Sequence, residues 1–414
     1  MPEFLQLLPP DEALTRLIQN LSLHPAPEEV ETAAALGRVT TTGIVAGNPL
    51  PSFARSTVDG FALRAADTHG ASESLPAYLK VAGEVLMGGT PDFSLAPGFC
   101  ALIHTGGMLP DGANSVVMVE HTQGVRPDEV EVLRPVAVGE NVLKAGEDVQ
   151  AGQEVIPAGT RLRPAEIGGL MALGITRLQA TQRPRVGILS SGDEVVDPQV
   201  DPAPGQVRDV NAYSLSALVE EAGGLPARYG IIPDRAEALL DSAACALAAC
   251  EMVVITAGSS ASARDLTAQV INEMGAPGVL VHGVNVRPGK PTILGVCGGK
   301  AVIGLPGNPV SALVIASLFV TPVVEALLGL RYNRPRPYIA ARLSLNLPSA
   351  AGREDWVAVR LVRQPIPGTV EYLAEPVFGK SNLIFSLARA DGLVRIEPDA
   401  TGLSAGEIVP VRLI

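Results

Sequence analysis

Along the middle of this 414-residue chain, side chains suited to handling anions and protons recur at short intervals, each time just after an apolar run. Ser191-Gly192-Asp193-Glu194 follows residues 185–190, and Pro233-Asp234 follows 227–232. Residues 252–256 lead into Ala257-Gly258-Ser259-Ser260-Ala261-Ser262-Ala263-Arg264-Asp265. The run 279–286 ends in Arg287-Pro288-Gly289-Lys290-Pro291, and 301–305 ends in Pro306-Gly307-Asn308-Pro309. Carboxylates hold divalent cations or move protons, hydroxyls and cations hold oxyanions, and a helix start adds backbone N–H donors. Each segment also has an ordinary reading. Asp234 and Asp265 read as helix N-caps, and Asn308 as a cap with Pro309 at the first helical position. Ser259, Ser260 and Ser262 read as loop-solubilising residues, and Arg287 and Lys290 as solvated charges. Against these stands the recurrence itself, because ligands of an open α/β sheet sit beyond the carboxyl ends of its strands. Five such ends delivering acids, hydroxyls, cations and glycines to one edge predict an anion site.

Two more acids lie upstream, Asp59 in Ser56-Thr57-Val58-Asp59-Gly60-Phe61 and Asp148 in Ala145-Gly146-Glu147-Asp148-Val149. Taken alone, both read as turn residues. Gathered with Glu194, Asp234 and Asp265, they would repel one another unless a cation intervened or one acid kept its proton. Magnesium bridging carboxylates to a phosphate meets the first condition; a general acid meets the second.

The elements that must position these residues follow from periodicity. Strand-like runs alternating with helices of ten or more residues over 185–330 predict an α/β domain with a largely parallel sheet. The spacing of Leu14, Leu17, Ile18 and Leu21 predicts a helix over 11–23, and a second short helix is expected over 28–38. From 40 to 149, short β-prone runs between turn signals predict a mostly β region. A turn-strand-turn at 152–160 and a helix near 164–173 follow. A proline-rich linker near 332–337 precedes a small β domain. Residues 310–330 are apolar enough to suggest a membrane segment, but Pro322 and Glu325 make a buried core helix the better reading.

Composition excludes several classes. Lys+Arg number 31 against 43 Asp+Glu, a net charge of −12, which argues against general binding to nucleic acid or to acidic membranes. Hydrophobic residues at 47% and charged residues at 18% describe a globular chain. The five histidines lack H-x-x-x-H spacing, so zinc has no support. Cys100, Cys245, Cys250 and Cys297 read as small buried apolar residues in a reducing compartment. The amino terminus lacks the pattern of a signal peptide, so the expected location is the cytoplasm.

Several strings, in order, resemble the molybdopterin molybdenumtransferase family (MoeA and the E domain of gephyrin). These are Pro51-Ser52-Phe53-Ala54-Arg55-Ser56-Thr57-Val58-Asp59-Gly60-Phe61-Ala62, Gly146-Glu147-Asp148-Val149, Ser191-Gly192-Asp193-Glu194, Arg287-Pro288-Gly289-Lys290-Pro291 and Gly304-Leu305-Pro306-Gly307-Asn308-Pro309-Val310-Ser311. Thr105-Gly106-Gly107-Met108-Leu109-Pro110 looks like a weaker form of the family's Thr-Gly-Ala-x-x-Pro. The resemblance implies a multidomain α/β plus β architecture: a connecting domain at 26–49 and 149–182, a β-rich insertion at 50–148, a molybdopterin-binding-like α/β domain from 1–25 and 183–330, and a C-terminal β domain at 331–414. It implies a homodimer whose cleft is completed by the partner's insertion. The implied reaction takes molybdate and adenylylated molybdopterin to molybdenum cofactor and AMP, assisted by Mg2+, with a molybdopterin adenylyltransferase as upstream donor.

Carried over by position, Asp59 and Asp148 match acids on the insertion side, while Glu194, Asp234 and Asp265 match acids on the α/β side and are the expected magnesium ligands. Arg287 and Lys290 match an anion-holding basic pair. Pro306, Gly307, Asn308 and Pro309 match the pocket loop, Ser259 and Ser260 the phosphate loop, and Ser381 a site residue of the last domain. Ala257 and Ser262 stand where the family has glycine, Arg287 where lysine is common, and Thr57-Val58 where Ala-Met is usual. The altered 256–262 loop allows a second function, a relative that binds the molybdopterin nucleotide without transferring metal. A nucleotide hydrolase on the same α/β fold is a third.

Overall fold

Aliphatic runs buried on both faces build the central sheet. A computed structural model describes residues 7–126, 128–257, 261–331, 337–364 and 371–414, apart from the side chains of 261–264. Ser259, Ser260, the side chain of Ser262 and most of the expected linker, 332–336, therefore lie outside the described residues. The sheet runs in the order Leu225–Ile232, Arg185–Ser191, Met252–Ala257, Lys300–Pro306, Ile293–Cys297, Pro277–His282. The first four strands are parallel, and Ile293–Cys297 is antiparallel to both of its neighbours. Parallel neighbours need crossovers, and helices supply them on both faces. Asn211–Ala222 and Pro309–Leu327 cover one face with the amino-terminal helix Pro10–Gln19, whose Ala13 and Leu17 join the same core. Ala236–Ala249 and Ala261–Met274 cover the other. From Arg185–Ser191 the chain steps outward to Leu225–Ile232, then returns past its start to Met252–Ala257. That reversal opens a crevice at the carboxyl ends.

Among the described residues one helix, Pro309–Leu327, is long and apolar enough to cross a membrane, with a mean hydropathy of 2.1. It buries Ile315, Phe319, Val320 and Val323 in the α/β core, as expected of a core helix.

Residues 60–132 form a six-stranded sheet ordered Ser115–Met118, Gly60–Leu63, Phe99–Ile103, Ala77–Val85, Glu129–Val132, Thr122–Arg126. Beside it, Pro27–Glu31 pairs antiparallel with Arg177–Thr181, and Ile44–Val45 with Glu154–Ile156. The helix expected over 28–38 is absent. Pro27–Glu31 alternates exposed and half-buried positions, the period of a strand, and only the single 3-10 turn Thr32–Ala34 follows. That turn is tied down from afar: Thr32 donates its N–H to Thr176 O at 2.9 Å and its hydroxyl to Ile175 O at 2.7 Å.

In the last domain five strands close a ring: Glu354–Arg363, Tyr372–Pro376, Tyr338–Leu343, Ile408–Leu413 and Gly392–Ile396, the last pairing back to the first. Val359, Ala374, Val394 and Val411 fill it. The strand expected over 279–286 is split. Pro277–His282 stays in the central sheet, whereas Val286–Arg287 pairs parallel with Glu354 and Asp355 of the ring. The cysteines divide as well: Cys100, Cys250 and Cys297 are buried and Cys245 is exposed, because Ala236–Ala249 turns Leu239, Ala243 and Ala246 inward instead.

Candidate active site

Of the expected residues, the carboxyl edge of the central sheet carries Glu194, Asp234, Lys290 and the Pro306–Pro309 loop. Ser191 ends its strand buried and donates its hydroxyl to Asp234 Oδ1 at 2.5 Å, across to the end of the neighbouring strand. Asp234 donates its own N–H to Asp193 Oδ1 at 3.3 Å. It is not the helix cap that its sequence position suggests. The helix starts two residues later, with Arg235 in the cap position making no side-chain bond, so the Asp234 carboxylate is turned toward the sheet. Asp265 is not a cap either: it lies within the helix Ala261–Met274, exposed. Glu194 is exposed, and a Cβ added to Gly192 would fall 2.9 Å from Glu194 Oε2, so glycine leaves room for that carboxylate. Among the described residues no three acids, histidines or cysteines form a metal-binding group, so Glu194, Asp234 and Asp265 are not a preassembled cage.

Lys290 reaches the same edge because Ile293–Cys297 runs antiparallel to Lys300–Pro306, which sets its start beside that strand's end. The loop before it is held by backbone: Val284 donates to Lys290 O at 2.9 Å, and the Thr292 hydroxyl to Gly289 O at 2.7 Å. Gly289 has φ +107° and lies against Ile315 of the core helix. The Lys290 side chain is exposed.

Arg287 does not simply pair with Lys290. Its guanidinium stands 3.9 Å from Asp355, a buried carboxylate that Arg353 grips with two bonds of 2.8 and 3.2 Å. Next door, Glu354 accepts Trp356 Nε1–H at 2.6 Å and pairs with Arg395 at 2.6 Å, and burial raises its carboxyl pKa.

The Pro306–Pro309 loop departs from expectation in two ways. Asn308 occupies the cap position but its side chain makes no capping bond, while Pro309 opens the helix as foreseen. The helix start does not offer all its donors to an anion, because Pro309 has no N–H and Val310 gives its own to Ser381 O at 3.0 Å. Ser381 thus meets the loop through its backbone. Asn211, buried at the start of its helix, donates Nδ2–H to Gly307 O at 2.9 Å.

On the insertion, Asp59 Oδ1 accepts the Thr105 N–H at 2.8 Å and the Thr105 hydroxyl at 3.3 Å. The Thr105 backbone bond lowers the Asp59 pKa, so this carboxylate stays ionised below the ordinary range. Asp148 is exposed and donates its N–H to Leu50 O at 3.0 Å. The two acids share one patch, since Arg55–Ser56 pairs with Val142–Leu143 and Gly146 donates to Pro51 O at 2.9 Å. Among the described residues no hydrogen bond or ion pair joins 50–148 to 183–330.

Sequence reading missed Ser191, Asn211, Arg353, Asp355 and Thr105 as positioning groups. Ser191 and Thr105 lay inside strings already singled out, and Arg353-Glu354-Asp355 is a charged run at the start of an apolar strand.

Comparison with known proteins covers each region of the fold. Residues 8–174 match "MoeA N-terminal region (domain I and II)", 187–326 match "Probable molybdopterin binding domain" and 340–414 match "MoeA C-terminal region (domain IV)". The chain belongs to the MoeA family. Relatives of this MoeA chain include the "Molybdopterin molybdenumtransferase" of Nostoc sp., 33% identical over 400 residues and covering 95% of this chain and 90% of that protein. The Bacillus subtilis protein of the same name is 30% identical over 412 residues, covering 98% and 94%. Two solved structures of the molybdopterin biosynthesis MoeA protein of Pyrococcus horikoshii align over 99% of this chain. One has a TM-score of 0.86 at 30% identity, covering 100% of that chain; the other has 0.80 at 36%, covering 99%.

Proposed function

We propose that this MoeA-family chain inserts molybdenum into adenylylated molybdopterin, taking molybdate and releasing AMP. The support for this reading is the carboxyl edge of the sheet, which carries Ser191-tied Asp234 and Glu194 toward one end and the exposed Lys290 toward the other. Lys290 holds oxyanion, while Arg287 is drawn toward Asp355 and the carboxylates face the phosphoanhydride. Mg2+ fits this donor set: exposed and half-buried carboxylates without a closed cage suit an ion that takes one or two carboxylates beside substrate phosphates. Glu194, Asp234 and Asp265 are the residues that would hold it, and it would supply charge neutralisation of the anhydride.

This reading calls for a homodimer in which a second copy's insertion, carrying Asp59 and Asp148, completes the cleft. The substrate's chemistry calls for an upstream adenylyltransferase acting on molybdopterin.

The test is AMP release from adenylylated molybdopterin. Release that depends on molybdate is expected; retention of the nucleotide marks a binder, and release without molybdate a hydrolase. Ser191→Ala is expected to slow that release about tenfold, the loss for a hydrogen bond to a charged group, with Ser191→Thr close to wild type. Unchanged rates in the alanine variant would remove Ser191 from the site.

A further inference from the structure

The turn that grips Asp59 carries another titratable side chain that the reaction above leaves without a role. His104 follows the strand Phe99–Ile103, which lies between Gly60–Leu63 and Ala77–Val85 in its sheet. Register brings three residues into line at one end. Gly60 pairs with Ile103, so Asp59 stands beside His104; Glu84 pairs with Leu102, so its carboxylate approaches from the other side. The imidazole accordingly has Nδ1 3.7 Å from Asp59 Oδ1 and Nε2 3.0 Å from Glu84 Oε1. Its backbone is fixed too. Gly107 donates to His104 O at 2.8 Å and Gly106 donates to Ser56 O at 2.8 Å. Gly106 takes φ +87°, a value that glycine adopts without strain.

We propose that His104 is a positioning residue for Asp59, with Glu84 setting the orientation of its ring. The inference rests on Asp59 being part of the site. Thr105 and His104 both address Oδ1 of Asp59, which leaves Oδ2 free to face substrate. The Glu84 carboxylate on Nε2 fixes the ring angle, and the imidazolium, a donor at both nitrogens, is the form that faces both carboxylates favourably. Among the described residues the charged groups facing the ring are Asp59 and Glu84, from the two strands flanking its own. When the imidazole is neutral, this rim presents two uncompensated carboxylates to an anionic substrate. When it is protonated, one of the two charges is offset.

The experiment follows kcat and KM for AMP release in wild type, His104→Gln, Glu84→Gln, Asp59→Asn and the His104→Gln/Asp59→Asn double variant of the full chain. His104→Gln is expected to lose about fivefold in kcat with KM little changed, the upper range for an exposed charge pair. Glu84→Gln loses less, because it acts only through the ring. The double variant is no slower than Asp59→Asn alone, because the histidine acts through the aspartate. Losses that multiply in the double variant, or a His104→Gln kcat equal to that of an active wild type, would overturn the inference while leaving the proposed function standing. A wild-type chain that releases no AMP overturns the proposed function instead.

Discussion

Gly289→Ala is expected to destabilise the folded chain by about 2–4 kcal/mol, combining backbone strain at positive φ with overpacking. A Cβ at this position would fall 2.1 Å from Ile315 Cγ1 and 2.4 Å from Cδ1, at φ +107°. Ile315 cannot step aside, because it is fully buried among Val286, Phe319 and the core of the main sheet. The glycine also precedes Lys290, so relief by backbone movement would carry the ammonium away from the sheet edge. Urea unfolding should show the loss as a lowered midpoint. Trimming the obstruction with Ile315→Ala should add less to the damage in the Gly289→Ala background than it does alone. A variant with a wild-type midpoint would mean that the loop does not hold this conformation.

The second large effect is expected at Lys290 itself. Lys290→Gln keeps an unbranched polar side chain, one atom shorter, and removes the charge proposed to hold the oxyanion. The loss anticipated is about 10²–10³ in kcat/KM for molybdate-dependent AMP release, as for other preorganised charge-stabilising groups. Stability should be unaffected, since the side chain is exposed and the backbone bond from Val284 remains. Lys290→Arg should recover part of the rate, because a planar fork restores charge but not the compact ammonium. A neutral variant retaining full activity would move anion binding elsewhere.

The α/β framework was readable in the chain wherever the signal was local. The run ending at Ser191, the apolar helix introduced by Pro309 and the strand–helix alternation between them all reflect short-range patterning. Errors arose where a distant partner decided the outcome. Residues 28–31 became a strand because 177–181 pair with them, which no helical window registers. Asp234 and Asp265 looked like caps because both stand near helix starts; one helix begins later and the other earlier than the aspartates suggest. At the helix start expected to offer backbone donors to an anion, the Val310 N–H is claimed by the carbonyl of Ser381 from another domain. Arg287 and Lys290, three residues apart, part company because the first belongs to a strand edge shared with Asp355.

That shared edge bears on any attempt to dissect the protein. Residues 286 and 287 are hydrogen-bonded along Glu354 and Asp355, at the beginning of a strand otherwise committed to the ring. Excised as a free-standing fragment, the C-terminal domain would bare those backbone groups, an open seam that invites self-association. Fusion or swapping experiments should therefore carry the short donor segment along with the barrel, or blunt the seam with a charged substitution.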